Sequence, residues 1–381
     1  MSTSYVSSRE LFSAPVVTKV IKQIATPYDR LQRFFGLTME SNTVEERRGR
    51  DFAWDIMNPP RTLAQVRSPI SGPASRAPIA SSMNFARCPR LHEKVTLLDD
   101  MVYNQRQLGQ GPDMVDRSGQ AYVARQQNML AQRFKNAREF MVSRLFKGGF
   151  GVTVSGQDWS LSEKGGGSNV YDVDYKLPAS NQDQLNINGD GACITGTWAT
   201  LTQDVAGDCA KINAAAQKQD GRPIRHAWTT TSLFMDLIAN NTKLQAQGGS
   251  ANTFYQSYER SSYRGPDGST DTGFDIVLRA IPWLTWHLYD AVLDVGGTLS
   301  PVLDTDHVAF CPDPSPDWVG GFNGSEMVRE NVTQSSTERF GFHAYTEPRT
   351  QPAGTELIAV DNFMPVLYVP ACIKYAKVRN F

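Results

Sequence analysis

Apolar and polar positions along the 381 residues change rhythm several times, and each change predicts a different element. Val16, Val17, Val20, Ile21 and Ile24 recur at helical spacing. A second short helix is better punctuated. Thr26 can cap it, Pro27 suits its first turn, Leu31, Phe34 and Phe35 give it an apolar face, and Gly36 closes it. Two short helices with polar linkers cannot form a core, so residues 1–44 read as an arm that lies on something else. From 45 to 95 the rhythm becomes strand-like. Phe52-Ala-Trp54-Asp-Ile56 and Met83-Asn-Phe85 alternate, Ser71-Gly-Pro-Ala-Ser75 lies midway, and Pro59, Pro60, Pro69, Pro73, Pro78 and Pro89 exclude a helix. This predicts a long two-stranded arm, which buries too little apolar surface to stand alone in water and needs a neighbour to brace it. The rival reading is an ordinary edge hairpin of a compact domain.

The strongest helical signal runs over 118–147. Ser118 is a plausible cap, Gly148-Gly149 a stop, and Val123, Leu130, Phe134, Ala137, Met141 and Leu145 hold a 3.6-residue period. Arg125, Arg133, Lys135, Arg138 and Arg144 lie among them, which reads as a solvated face or, more sharply, as the lining for a polyanion. Beyond it, Tyr171, Val173, Tyr175 and Leu177 alternate with polar residues as in a half-buried strand, and Val205, Cys209, Ile212 and Ala216 keep helical spacing. A strand over Ile224–Trp228 precedes a helix capped by Thr231 or Ser232. Strands follow at Phe274–Leu278, Trp283–Tyr289, Val308–Phe310, Phe340–Phe342 and Leu357–Val360, with a last apolar run from Met364 to Lys374.

Charge adds one contrast to this layout. The net charge is only -1, which excludes a generally basic nucleic-acid binder, yet its distribution is uneven. Residues 47–94 carry nine Arg and Lys against Asp51, Asp55 and Glu93, whereas 280–317 contain six Asp and no Lys or Arg. Cys88, Cys193, Cys209, Cys311 and Cys372 are odd in number and never in a CxxC pair, which predicts reduced, partly buried thiols. No apolar run nears the ~18 residues that span a bilayer, and Met1–Ser8 lacks a signal-peptide pattern, so a cytosolic origin without a membrane partner is expected.

Catalytic chemistry is thinly represented. His92, His226, His287, His307 and His343 fall in no HExxH or HxH spacing, and there is no nucleophile elbow. The glycines at 148–151 and 165–167 lack the order of a phosphate loop and read as flexible turns. Asp304-Thr-Asp306-His307 offers cation ligands but lacks the spacing of a calcium loop, so it reads as a solvated loop. Trp54, Trp228, Trp283 and Trp286 read as buried sheet aromatics ahead of a sugar groove. No catalytic, cofactor-binding or metal-binding residues are assigned, and no cofactor is expected.

The order of these parts resembles the tailed-phage major capsid proteins of the Hong Kong 97-type fold, within them the lambda-type phage major capsid protein E family. Four stretches carry the resemblance. Arg47-Arg-Gly-Arg50 leads into the strand at Phe52, Gln120 to Lys147 ends in Gly-Gly, Arg225-His-Ala-Trp228 precedes Ser232-Leu-Phe-Met-Asp-Leu, and Phe363 to Lys374 closes the chain. The resemblance implies an α+β fold with an N-terminal arm (1–44), an extended loop (45–95), a peripheral domain (96–220, with spine helix 118–147), an axial domain (221–325), return strands (326–358) and a closing axial strand (359–381). It also implies self-assembly as hexamers and pentamers into an icosahedral head, with scaffolding protein, portal and decoration protein as partners. The shell would hold double-stranded DNA without sequence specificity, be built in the host cytoplasm, and have no enzymatic activity. Arg47, Arg48, Arg50, Arg61, Arg67 and Arg76 of the loop are expected to meet carboxylates such as Asp290, Asp304 and Asp313 on adjacent copies. An encapsulin-like compartment and a soluble glycan hydrolase with dispersed carboxylates are the alternatives.

Overall fold

The computed structural model describes residues 18–19, 21–22, 28–41, 43–57, 81–98, 120–155, 158–248, 255–257, 273–329 and 336–379. Of the arm, this includes helical positions at 18–19 and 21–22 and a helix α1 (Arg30–Phe34). Val16, Val17, Val20, Ile24, Thr26 and Pro27 lie outside the described residues. The helix begins later than a Thr26 cap would place it, with Asp29 at the N-cap position, and Gly36 at φ +67° ends it. The arm does lie on something else, and in the described part that support is its own chain. Leu31, Phe35 and Leu37 enter the main core, and Ile21 and Met39 enter a smaller one.

Strands β1 (Val44–Arg47), β2 (Asp51–Met57), β3 (Ser81–Arg87) and β4 (Leu91–Leu98) follow, then the long helix α2 (Gln120–Ser143). At 1.5 Å per residue its 24 residues span about 36 Å. The turn after it is completed at Gly148, φ +77°. Its basic residues divide: Arg125 is half-buried and Arg133 exposed, whereas the later ones do not form the solvated face or polyanion lining that their run suggests. Arg138 and Arg144 are fully buried and Lys135 nearly so, because the C-terminal half of α2 runs through the protein's centre.

A three-stranded sheet, β5 (Gly149–Ser155), β6 (Asp158–Glu163) and β7 (Asn169–Asp174), stands beyond α2 in the order β6-β5-β7. Gly149-Phe-Gly151 is therefore strand and not a flexible turn, for a spatial reason. A side chain at Gly149 would meet the backbone oxygen of Val173 at 2.1 Å, so only glycine lets β7 pair so closely. Gly165, at φ +76°, does make the expected turn.

Past β8 (Gln182–Asp183) and helix α3 (Val205–Gln219), the chain builds a seven-stranded sheet. Its further strands are β9 (His226–Thr229), β10 (Tyr255–Ser257), β11 (Gly273–Leu278) and β12 (Thr285–Tyr289), then, after the hairpin β13 (Val292–Val295) and β14 (Thr298–Pro301), β15 (His307–Cys311). The order is β10-β11-β12-β9-β15, completed by the last strand of the chain and β8. Thr230, not Thr231 or Ser232, caps the helical stretch after β9, its hydroxyl accepting from Leu233 N. Residues 185–216, expected with the spine helix, share the core of this sheet instead: Leu185, Ile187, Trp198, Cys209 and Ile212 pack with Trp286 and Phe310.

The chain then returns to α2. Strand β16 (Val319–Arg329) pairs with β17 (Ser336–Phe340), runs parallel to β1, and pairs with β20 (Phe363–Leu367). Between them, β18 (His343–Thr350) and β19 (Ala353–Asp361) join β4 in a three-stranded sheet against the N-terminal half of α2. Strand β21 (Lys374–Lys377) completes the seven-stranded sheet between β15 and β8. All five cysteines are buried and free.

Candidate subunit-contact surfaces

The strands predicted at Phe52–Ile56 and Met83–Phe85 pair as β2 and β3, and the two faces of this hairpin differ. Phe52 pairs with Ala86 and Trp54 with Asn84 on the inner face. Phe52 and Trp54 are almost wholly buried, their rings packed on Phe322 at 5.3 and 6.5 Å. Trp54 Nε1 donates to Leu367 O at 3.0 Å, Met57 N to Tyr368 O at 2.9 Å, and Asn84 Nδ2 to Asp174 O at 2.7 Å. The outer face carries Met57, Met83 and Phe85, exposed by 51%, 60% and 70%. An anchored hairpin that shows three large apolar side chains to water, beside Asp51, Asp55 and Arg87, is built to be covered by something.

The arginines at its base are already occupied. Arg47 stacks its guanidinium over Phe322 at 3.8 Å, donates to Ala53 O at 2.8 Å and pairs with Glu45 at 2.9 Å. Arg48 lies 3.5 Å from Glu338, and Arg90 holds Glu326 through both nitrogens. Arg47 and Arg48, expected to meet carboxylates on other copies, thus already have carboxylates near them on their own chain, and Arg48 stays 86% exposed. Arg61, Arg67 and Arg76 fall outside the described residues.

The arm helix α1 is clasped on two sides. Glu139 of α2, with no exposed surface, accepts from Leu31 N at 2.9 Å, Gln32 N at 3.2 Å, Gln32 Nε2 at 3.0 Å and Tyr289 Oη at 2.9 Å. Two of the open N–H groups of a short helix are thus met by one carboxylate from another helix. Burial dominates those hydrogen bonds and pushes the Glu139 carboxyl up to about 7. On the other side Arg30 binds Asp275, whose carboxylate also faces His287 Nδ1 at 2.5 Å. His287 Nε2 lies 2.9 Å from His226 Nδ1, and His226 Nε2 lies 2.9 Å from Asp313. Phe34 packs edge-on against His226 and Trp228, and Trp228 stacks on His287 at 4.4 Å. Burial and the neighbouring His287 lower the His226 pKa. Sequence reasoning singled out Phe34, His226, His287, Trp228 and Asp313 for other roles, and it missed Arg30, Gln32, Glu139 and Asp275. The one available signal was Glu139 itself, an acid set between cationic and apolar residues of α2.

Other candidates resolve into structure. Asp304, Asp306 and His307 do come together, but Asp304 is held by Lys147 Nζ at 2.7 Å and by the Tyr375 hydroxyl, and Asp306 by His307 Nδ1 at 2.6 Å. Trp54, Trp228 and Trp286 are buried and Trp283 half-buried, as sheet aromatics. Of the carboxylates of 280–317, Asp290 accepts from Thr231 N at 2.8 Å and Asp294 from Gly297 N at 2.8 Å. No helix among the described residues is long and apolar enough to cross a membrane.

Residues 13–378 match the family model described as phage major capsid protein E. No curated protein matches the chain. Among solved structures, a protein described as a prophage capsid protein from E. coli CFT073 superposes with a TM-score of 0.53 at 13% identity, covering 98% of this chain and 99% of that one. A phage-related protein from Bordetella bronchiseptica RB50 gives 0.48 at 9%, covering 96% and 98%. The capsid of cyanophage P-SCSP1u gives 0.42 at 14%, covering 89% and 87%. The E. coli likeness is close enough to show a shared fold, and the other two are too distant to add to it.

Proposed function

Because the chain belongs to the phage major capsid protein E family and is a capsid shell protein of the Hong Kong 97-type fold, we propose that it assembles as hexamers and pentamers into the icosahedral head of a tailed phage and encloses its double-stranded DNA. Scaffolding protein, portal and a decoration protein are its further partners in this reading, and assembly takes place in the host cytoplasm. The observation that carries it is the hairpin β2–β3, fixed on its inner face and exposing Met57, Met83 and Phe85 on its outer face. Closed shells gain stability from many modest contacts repeated around each subunit, so such a face is useful only where copies recur.

The division of labour follows the cores. The extended loop is 45–95 with its strands at 51–57 and 81–87. The peripheral part is built on α2 with the return strands, and the axial part on the seven-stranded sheet, which takes in residues from 182 onward. Near-zero net charge suits a container for DNA, since a strongly cationic lining would trap the genome. Nuclease treatment of particles purified from infected cells tests the proposal. DNA of genome length that survives digestion is expected. Particles that carry only protein cargo would instead make this an encapsulin-like compartment.

A further inference from the structure

Two exposed apolar surfaces on this chain match one another. The first is a groove of about 1120 Å³ between the hairpin base, α2 and the β6-β5-β7 sheet. Phe85, Phe134, Trp159, Val170 and Tyr171 are among the apolar residues that line it. Phe85, Trp159 and Val170 are exposed by 70%, 59% and 56%, while Cys88, Phe134 and Val152 of the same lining are buried. Arg50, Arg87, Arg90 and Arg133 line the same groove, and since Asp51, Glu326 and Glu93 answer the last three, Arg50 is, among the described residues, the cation left to meet an incoming carboxylate. An occupant that suits it is apolar and carries about one carboxylate.

The second surface is the hairpin β13–β14. Across it Asp294 pairs with Leu299 and Val292 with Pro301, which puts these four on one face, while Leu293 is buried against the body. All four outward residues are exposed, and Leu299, at 73%, is the most exposed large apolar side chain among the described residues. A hairpin whose solvent face reads Val, Asp, Leu, Pro is the inverse of the usual polar exterior. Its single carboxylate and three apolar groups are the chemistry the groove lacks.

Both surfaces stand open on the same chain, so the hairpin does not fill its own groove. Resting on the capsid reading above, we propose that the β13–β14 hairpin of one copy seats in the groove of the next, Leu299 against Phe85 and Trp159 and Asp294 toward Arg50. The contact is heterologous, head to tail, which is the kind that closes into rings when the rotation is right. The mixed charge of the lining argues against nucleic acid as the occupant, because Arg87, Arg90 and Arg133 already face Asp51, Glu326 and Glu93 on their own chain.

Phe85→Cys and Leu299→Cys, combined in one chain, test the seating, since all five native cysteines are buried. Mild oxidation of assembled particles should give a ladder of covalent oligomers beyond the dimer, and neither single variant should do so. Intact particles that yield no ladder, or dimers from Phe85→Cys alone, would overturn the contact while leaving the shell reading intact. Absence of particles from the wild-type chain would overturn both. If the double variant does not assemble, the single variants carry the test through maleimide labelling of the introduced thiols. Both positions should be shielded in empty particles and reactive in unassembled subunits. A position 85 that is reactive in empty particles and shielded only in DNA-filled ones would assign the groove to nucleic acid instead.

Discussion

Arg138 and Asp361 face each other through two hydrogen bonds, at 2.5 and 2.6 Å, with 1% and no exposure, and Phe363 lies flat against the guanidinium. Removing one partner leaves the other charged and dry, so Asp361→Ala should cost about 3–5 kcal/mol in urea unfolding of the unassembled subunit, whereas replacing both by apolar residues should cost much less. Glu139 makes a prediction about pH. Its carboxyl titrates near 7 when folded and near 4.5 when unfolded, so the folded subunit holds the extra proton between those values. Stability from this group is therefore full below about pH 4.5 and lost as pH rises to 7, a change of roughly 3 kcal/mol at ~1.4 per unit. Glu139→Gln should flatten that slope. His226 works the other way, its lowered pKa withdrawing stability as pH falls below 6.5, and His226→Gln should weaken that acid-side loss. These residues were poorly legible in the sequence. A cation in a helix looks solvated until its partner is known, and the partner of Arg138 is 223 positions away.

At the scale of elements, what alternation or helical period could reveal was legible: the hairpin strands around Phe52 and Phe85, the long helix, and the strands of the large sheet. What depended on distant pairing was not. The start of α1 is set by Glu139 and not by a local cap, and Gly149–Gly151 is a strand because β7 approaches it. The hairpin is where an element-scale claim is easiest to break. Trp54→Ala empties a buried site and removes the hydrogen bond to Leu367, so it should cost about 3–5 kcal/mol and expose β2–β3 to limited proteolysis. Gly324 offers a sharper test. A side chain there would meet Gly49 O at 2.7 Å and Phe52 Cζ at 3.1 Å, so Gly324→Val should loosen the hairpin base and lower the yield of assembled particles. The exposed Met83→Ser should do the opposite, changing subunit stability by less than about 0.5 kcal/mol while weakening assembly.

For the molecule as a whole, three apolar cores hold one body together, and its apolar outer surfaces find no cover among the described residues. In the proposed shell, other copies of the same chain supply that cover. The exposed apolar side chains of the hairpin could be anticipated from alternation, whereas the groove beside it could not, because hairpin base, helix and sheet meet there only in three dimensions. Sedimentation velocity of the purified wild-type protein, with images of the fastest fraction, bears most directly on the central claim. Megadalton material that appears as closed shells is the predicted result, and a single stable species near 42.2 kDa at high concentration would contradict it.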